Sequence, residues 1–353
     1  MRSVYEASKE DGAEISRLLE SPVDAGPIQA IYTRRPDAYE SYMKESGEPR
    51  VFVSKRENRV AVTWAELIRD VYANGEVKRS AYLCGLKRDH TYQGLISTGS
   101  ELYNAIRRPD IDFYYCCVVA NNTSVMKKFE KKRGIFYFRP VATYKSYILS
   151  PKLRIKTEVN PYTFRQATAA DTEDIIEFLN TQGRKKDLFP YVRSFDDYHG
   201  LHVEDFYLLT DEHGIKACGA IWNVTSYKQF MVKKYSWFLK PARLFNPLIT
   251  LTGFPRIPKE NELIDLPTIS FFLSRDDSDD GYRILFNLIK NEFKKHYSMF
   301  LIGLPDQHVI ASILKNKPKL AVKSVIYELR FSGQNDEPPV IDQGRIYTES
   351  ATL

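Results

Sequence analysis

The sequence predicts a mixed α/β fold made of two similar halves. Strand-like apolar runs alternate with amphipathic helical stretches along the chain. A strand–helix pattern near the N-terminus returns at a constant offset of 160 positions, as with Ala7 and Ala167. Between Val77 and Gly134 the first half also carries a complete strand, loop, helix, strand and helix series.

Taken in order, Ser3 to Ala7 reads as a short strand and Lys9 to Leu19 as an amphipathic helix on Ile15, Leu18 and Leu19. Phe164, Ala167, Asp171, Asp174, Ile175, Phe178 and Leu179 repeat Val4, Ala7, Asp11, Glu14, Ile15, Leu18 and Leu19. Arg50 to Ser54 and Val60 to Ile68 form a hairpin, and Val71 opens an excursion to Val77. Ser80 to Leu86 and Asp112 to Ala120 are buried strands. A helix is expected over 95–108. Asn121-Asn122-Thr123-Ser124 supplies N-cap residues for a basic helix from Val125 to Lys132. Strands that feed helix N-termini aim free amides at one crevice, an anion site by construction.

In the second half, Asp205 to Thr210 and Ile215 to Trp222 form the hairpin. Pro267 to Ser274, Arg283 to Lys295, Ser298 to Leu304 and Asp306 to Leu314 match the central strand, helix, later strand and last helix. Asp306 against Asn122 gives an offset of 184, so about 24 residues are inserted, over about 223–262. Thr143 to Leu149 and Val322 to Phe331 are the terminal strands, and Ser150 to Pro161 is a polar linker. The expected division is 1–150, 151–331 and a polar tail, 332–353, that packs weakly.

Composition narrows the classes. The 353 residues are 43% hydrophobic and 27% charged, as in a soluble globular protein of two ordinary domains. Aromatics make up 13%, with 23 Tyr and 20 Phe, so large rings should dominate the core. No apolar run reaches the roughly 20 residues of a membrane span, and the first residues lack a signal peptide's apolar segment. A cytoplasmic location is the expectation. Cys84, Cys116, Cys117 and Cys218 lie in strands without CxxC spacing, as apolar fillers more than as nucleophiles. A net charge of +6 and pI near 8.9 suit an anionic ligand without pointing to nucleic acid.

The order of elements resembles the GNAT acetyltransferase fold, present twice in tandem, each copy a central mixed sheet flanked by helices. The segment Asn122-x-x-Val125-Met126-x-x-Phe129-Glu130-Lys131 is the most specific likeness. The resemblance implies an acyl-CoA-dependent N-acyltransferase, with acetyl-CoA or another acyl-CoA as co-substrate, no metal, and a small-molecule or peptide amine as acceptor. It implies that strand amides near Leu86, Lys87 and Arg88 hold the pantetheine arm, and that the loop Tyr92, Gln93, Gly94, Leu95, Ile96, Ser97 and Thr98 holds the pyrophosphate, with Asn122 and Phe129 in the following motif. The family's loop, Arg/Gln-x-x-Gly-x-Gly/Ala, is kept only at Gln93; Ile96 and Thr98 stand at the two small positions. In the second half Asp276-Asp277-Ser278-Asp279-Asp280-Gly281 puts four carboxylates at that loop, which should repel an anion. The first half is therefore the expected cofactor site and the second a degenerate copy. A Tyr general acid common in the family is Phe129 in the first half and Ile313 in the second.

Glu66, on the hairpin strand, is the expected base acting through water; the bland reading is an exposed strand glutamate. His90 beside the loop reads as phosphate contact, base or plain surface residue. His199 and His202, with Glu204 and Asp205, read more readily as solvated polar residues than as a metal site. In the insertion, Lys228, Lys233, Lys234, Lys240 and Arg243 interleave with Phe230, Tyr235, Trp237, Phe238 and Phe245. An amphipathic helix whose aromatics cover the second half's sheet or close over a shared cleft is the ordinary reading; single-stranded nucleic acid or a membrane surface is the other. Two further functions stay open: an aminoacyl-tRNA-dependent transferase of the peptidoglycan type, and a non-catalytic ligand- or partner-binding protein. Oligomeric state is unfixed, and a homodimer is compatible with the sequence.

Overall fold

In the computed structural model the strands run β1 (Val4–Glu6), β2 (Ile28–Thr33), β3 (Glu48–Arg56), β4 (Arg59–Ala73), β5 (Glu76–Arg88), β6 (Phe113–Val119), β7 (Phe136–Leu149), β8 (Thr163–Gln166), β9 (Phe206–Asp211), β10 (Gly214–Trp222), β11 (Gln229–Tyr235), β12 (Leu263–Ile264), β13 (Thr268–Ser274), β14 (Phe300–Pro305) and β15 (Leu320–Phe331). The helices are α1 (Gly12–Leu19), α2 (Ala38–Tyr42), α3 (Thr123–Phe129), α4 (Thr172–Gly183), α5 (Asn246–Leu251), α6 (Asp279–His296) and α7 (Val309–Leu314). The structure describes residues 4–21, 28–89, 91, 105–129, 136–153, 161–237, 240–277, 279–331 and 340–353.

Twelve strands form one mixed sheet in the order β1-β3-β4-β5-β6-β15-β7-β14-β13-β10-β9-β8. The order is a palindrome. Each half contributes an antiparallel meander and one parallel pair, β5·β6 in the first and β13·β14 in the second. The terminal strands are exchanged: β15 pairs with β6, and β7 pairs with β14. The centre is the long antiparallel pair β7·β15. Neither half completes its sheet alone, so the two are built as one continuous layer.

The repeat extends to hydrogen bonds. Ser8 N–H donates to Asp11 Oδ2 at 3.0 Å, and Thr168 N–H donates to Asp171 Oδ2 at 2.8 Å. Each aspartate closes a capping box over a short 3-10 turn that opens the following helix. Helices then bury alternate turns: Ile15, Leu18 and Leu19 of α1 join Val51, Val53 and Leu67, while Ile175, Phe178 and Leu179 of α4 join Phe206, Leu208 and Leu273.

Three expectations are corrected. The stretch 71–77 is a tight hairpin between β4 and β5, because Asn74 and Gly75 both take positive φ, +52° and +81°, as a two-residue turn with native twist requires. The tail is not loosely packed over Val340 to Leu353: Ile341, Ile346, Tyr347 and Ala351 are buried, and apolar burial outweighs its polar composition. The insertion begins as a strand rather than a covering helix. β11 joins β2 of the first half and β12 in a three-stranded sheet, and Trp237 and Phe245 beyond it stay exposed.

Candidate active site

In both halves the parallel pair parts at the same place. β5 and β6 pair from Ser80↔Phe113 to Leu83↔Cys116, and β13 and β14 pair at Thr268↔Leu301 and Ile269↔Ile302. Two residues further on stands a positive φ, Gly85 at +63° and Phe271 at +50°. Register shifts in the neighbouring strands, at Thr63/Ala65 and Cys218/Ala220, mark the same bulge. The strands then splay into two related clefts.

The first cleft lies between Cys84–Arg88 and Cys117–Val119. Glycine is required at 85 because Tyr42 Oη occupies the place of a Cβ there. Leu86 is exposed, Lys87 is half-buried and donates to Ser21 O at 2.8 Å, and Arg88 is exposed. Burial lowers the Lys87 pKa. Asp89 ends the strand by accepting from the Thr91 N–H and hydroxyl at 3.0 and 2.7 Å, an Asx turn. Across the cleft, Asn122 Oδ1 accepts from Val125 N–H at 3.4 Å and caps α3. Phe129, later on α3, stacks on Phe138 at 3.8 Å and meets Tyr327 edge-on at 5.6 Å. His90 and the loop residues Tyr92, Gln93, Gly94, Leu95, Ile96, Ser97 and Thr98 lie outside the described residues.

The second cleft is filled by the chain's own tail. Glu349 Oε2 accepts Phe271 N–H at 2.7 Å, and Tyr347 Oη accepts Phe272 N–H at 3.1 Å. Tyr144 Oη donates to Thr348 O at 3.0 Å, closing the other wall. Phe271 itself packs into a ring cluster with Tyr198 and Trp222. At the outer end of this cleft is a cavity of about 890 Å³ lined by Lys145, Lys186, Tyr282, His308, Lys315 and Arg345, among others. His308 Nδ1 accepts from Ile310 N–H, and burial lowers its pKa to about 4, so the ring is neutral at pH 7. The acidic loop is less repulsive than its sequence suggests: Lys216 pairs with Asp276 at 2.7 Å and Lys186 with Asp277 at 2.6 Å.

Beneath Gly85 four chain segments converge on a buried polar cluster that sequence reading missed. Arg34 Nη2 meets Glu45 Oε1 at 2.5 Å, and Lys228 Nζ lies 3.5 Å from the same oxygen. The Arg34 guanidinium lies 3.7 Å from the centre of the Tyr42 ring, and Arg34 Nη1 donates to Ser41 Oγ at 3.0 Å. The tail ends here: Lys228 Nζ donates to Ala351 O and Leu353 O at 3.0 and 2.6 Å, and Arg69 Nη2 to Thr352 O at 3.1 Å. Arg34, Glu45 and Lys228 are each at most 5% exposed. Glu45 Oε2, Arg34 Nε and Arg69 Nε have no hydrogen-bond partner among the described residues. Burial opposes charge on Glu45, but Lys228 and Arg34 outweigh it and hold its carboxyl below the ordinary range. Burial lowers the Lys228 pKa, with Glu45 opposing.

Glu66 is brought elsewhere. It is fully buried, not an exposed strand glutamate, because its face of β4 also carries Trp64 and Ile68 in the core. Arg69, three residues on, faces the cluster from the opposite side of the strand. Burial raises the Glu66 pKa to about 8 despite Arg50 at 3.3 Å, and its Oε1 has no hydrogen-bond partner among the described residues. The cysteines beside the cleft are poor nucleophiles, since burial pushes Cys84 and Cys117 up to about 11. His199 packs edge-on to Tyr227 at 5.5 Å, and among the described residues no group of three His, Cys, Asp or Glu has metal-binding placement. No described helix is long and apolar enough to cross a membrane. The longest described helix, α6, has 18 residues, so a long antiparallel helical arm is not seen among the described residues.

No protein-family model matches the sequence, and no curated protein matches it. Solved structures do. A GCN5-related N-acetyltransferase from Anabaena variabilis aligns over 94% of this chain and 73% of its own, at 11% identity and a TM-score of 0.54. Saccharomyces cerevisiae N-myristoyltransferase with bound myristoyl-CoA aligns over 99% and 90%, at 11% identity and 0.59. A probable N-acyltransferase from Enterococcus faecalis aligns over 94% and 73%, at 9% and 0.50. The chain therefore has the GNAT fold, along nearly its whole length.

Proposed function

We propose that the protein is an acyl-CoA-dependent N-acyltransferase that binds one acyl-CoA, in the first cleft. The asymmetry of the two clefts carries this reading. The second is occupied by Tyr347 and Glu349, which take the strand amides an acyl-CoA arm would need; among the described residues no side chain bonds the first half's amides from Gly85 to Arg88. With this reading goes the division into 1–150 as the acyl-CoA half, 151–331 as the degenerate half with its insertion, and the tail.

Leu86, Lys87 and Arg88 would line the pantetheine arm, and Tyr92 to Thr98, with Asn122 and Phe129, the phosphates and the cleft's outer wall. The acceptor nitrogen would attack the thioester carbonyl; the C–N bond forms, the C–S bond breaks, and CoA leaves with a proton. Arg34, Arg69 and Lys228 outnumber Glu45, so an acceptor ammonium entering the cluster is disfavoured and its neutral, nucleophilic form is favoured. The same cations would stabilise charge developing on the carbonyl oxygen. The proton-accepting role expected of Glu66 suits Glu45 better: it is ionised, one oxygen is unpartnered, and it lies on the cluster's side of the sheet. With Cys84 and Cys117 raised to about 11, direct transfer is favoured over an acyl-cysteine intermediate.

Acetyl-CoA and myristoyl-CoA are the two ligands to titrate calorimetrically, since structures of both transferase kinds share the fold. One equivalent should bind, and Leu86→Glu, a change at an exposed cleft edge, should weaken it at least about tenfold by charge repulsion. No heat from either ligand at millimolar concentration would overturn the reading. Binding without amine acylation across an acceptor panel would favour the non-catalytic alternative.

A further inference from the structure

The inserted segment holds a surface that acyl transfer does not use. Strand β11 anchors it between β2 and β12. Beyond the strand Trp237 is 83% exposed. A 3-10 turn, Lys240–Phe245, then runs into α5, whose base is fixed by Asn246: its Nδ2 donates to Ile257 O and its Oδ1 accepts Ile257 N–H. Along this short helical stretch Leu244, Leu248 and Leu251 fall four and three residues apart and are 81%, 62% and 76% exposed, with Phe245 beside them at 56%. A shallow apolar groove of about 390 Å³ continues the surface over Ile249, Phe254 and Ile257. Single exposed apolar residues need no explanation, but five large ones in one fifteen-residue stretch do.

Charge selects the occupant. Residues 229–262 contain Lys233, Lys234, Lys240, Arg243, Arg256 and Lys259 against Glu260 and Glu262, a large share of the chain's net +6. A second copy would bring two basic patches together, which like-charge repulsion disfavours. Single-stranded nucleic acid would stack on rings, and three of the five exposed residues are leucines, which offer none. Aliphatic side chains at the tip, a tryptophan at the flank and a net-positive segment that includes Lys233 and Lys234 of the anchoring strand match a surface that is hydrocarbon below and anionic above.

We propose that Trp237 and the 240–251 helix form an interfacial element that docks the protein flat on an anionic lipid bilayer. The full-length chain is mixed with phosphatidylcholine vesicles, with and without about 30% phosphatidylserine, and sedimented. It should pellet only with the anionic vesicles, with a blue shift in tryptophan emission and loss of binding at high salt. The triple variant Leu244→Ser, Leu248→Ser, Leu251→Ser should keep its circular dichroism and melting temperature and lose at least about tenfold in partitioning. Lys233→Gln with Lys234→Gln should lose about fivefold per charge. Absence of pelleting with either vesicle, unchanged partitioning of the triple variant, or a concentration-dependent dimer in place of vesicle binding would overturn the proposal.

Discussion

The two clefts begin from the same backbone and end with different contents among the described residues. Gly85 and Phe271 hold the same left-handed conformation at the same point of a parted parallel pair. In the first half the space over the bulge is taken by the Tyr42 hydroxyl, so no side chain fits; in the second it is taken by the phenylalanine ring, and Glu349 accepts the strand's amide. The two related halves thus differ in what meets the bulge: the Tyr42 hydroxyl in the first, and a phenylalanine ring with the chain's own tail in the second. The tail links them, running from the second cleft to the buried cluster under the first. For the single cofactor site we propose, a plug made of the protein's own carboxylate is a stronger ground than a degenerate loop, because the lysine pairs soften that loop's charge.

Substitutions that break this contrast should differ in size. Arg34→Met removes the main partner of the buried Glu45 carboxylate, and urea unfolding should report a loss of about 3–5 kcal/mol; a loss below about 1 kcal/mol would mean the cluster is wetter than its burial implies. Phe271→Gly relieves a strained φ but empties a ring-lined site, for a net loss of about 3 kcal/mol. Gly85→Ala drives a Cβ onto Tyr42 Oη and should lose about 2 kcal/mol, partly restored by adding Tyr42→Phe. If the double variant is no better than the single, the close approach is not the reason for the glycine.

Protonation gives a further contrast on the sheet's other face. Glu66 has a folded pKa of about 8, above the ordinary 4.5, so the folded protein binds the extra proton between those values. Stability from this group is full below about pH 4.5 and is lost as pH rises through 8, amounting to a few kcal/mol at most. Glu66→Gln should flatten that part of the stability–pH curve; an unchanged slope would place the titration elsewhere. Smallest of all, Asp11→Ala and Asp171→Ala should each lose about 1 kcal/mol, since both remove the same cap. A clear inequality between them would mark the point where the halves' shared architecture has diverged.

Much of the architecture was legible because it is local and periodic. The capping aspartates, the amphipathic faces of α1 and α4 and the apolar runs of β5, β6, β13 and β14 each declare themselves within a few residues. The tight turn at Asn74-Gly75 was equally readable and was missed, since it lies inside an apolar stretch. The exchange of β7 and β15 was not readable, because either partner satisfies the same strand pattern. Nor was the cluster. Arg34 and Glu45 look like surface residues until Lys228, 183 positions beyond Glu45, and the tail from Ala351 close over them. Tail burial was hidden for a similar reason: a few apolar residues among polar ones are enough when a cleft is waiting for them.

Hydrogen exchange on the full chain, with and without myristoyl-CoA and then acetyl-CoA, tests the central claim most directly. Ligand should slow exchange at the amides from Gly85 to Arg88 and leave those from Phe271 to Ser274 unchanged, because the Phe271 and Phe272 amides already bond Glu349 and Tyr347. Ligand-induced protection of the 271–274 strand, alone or alongside the first, would contradict it.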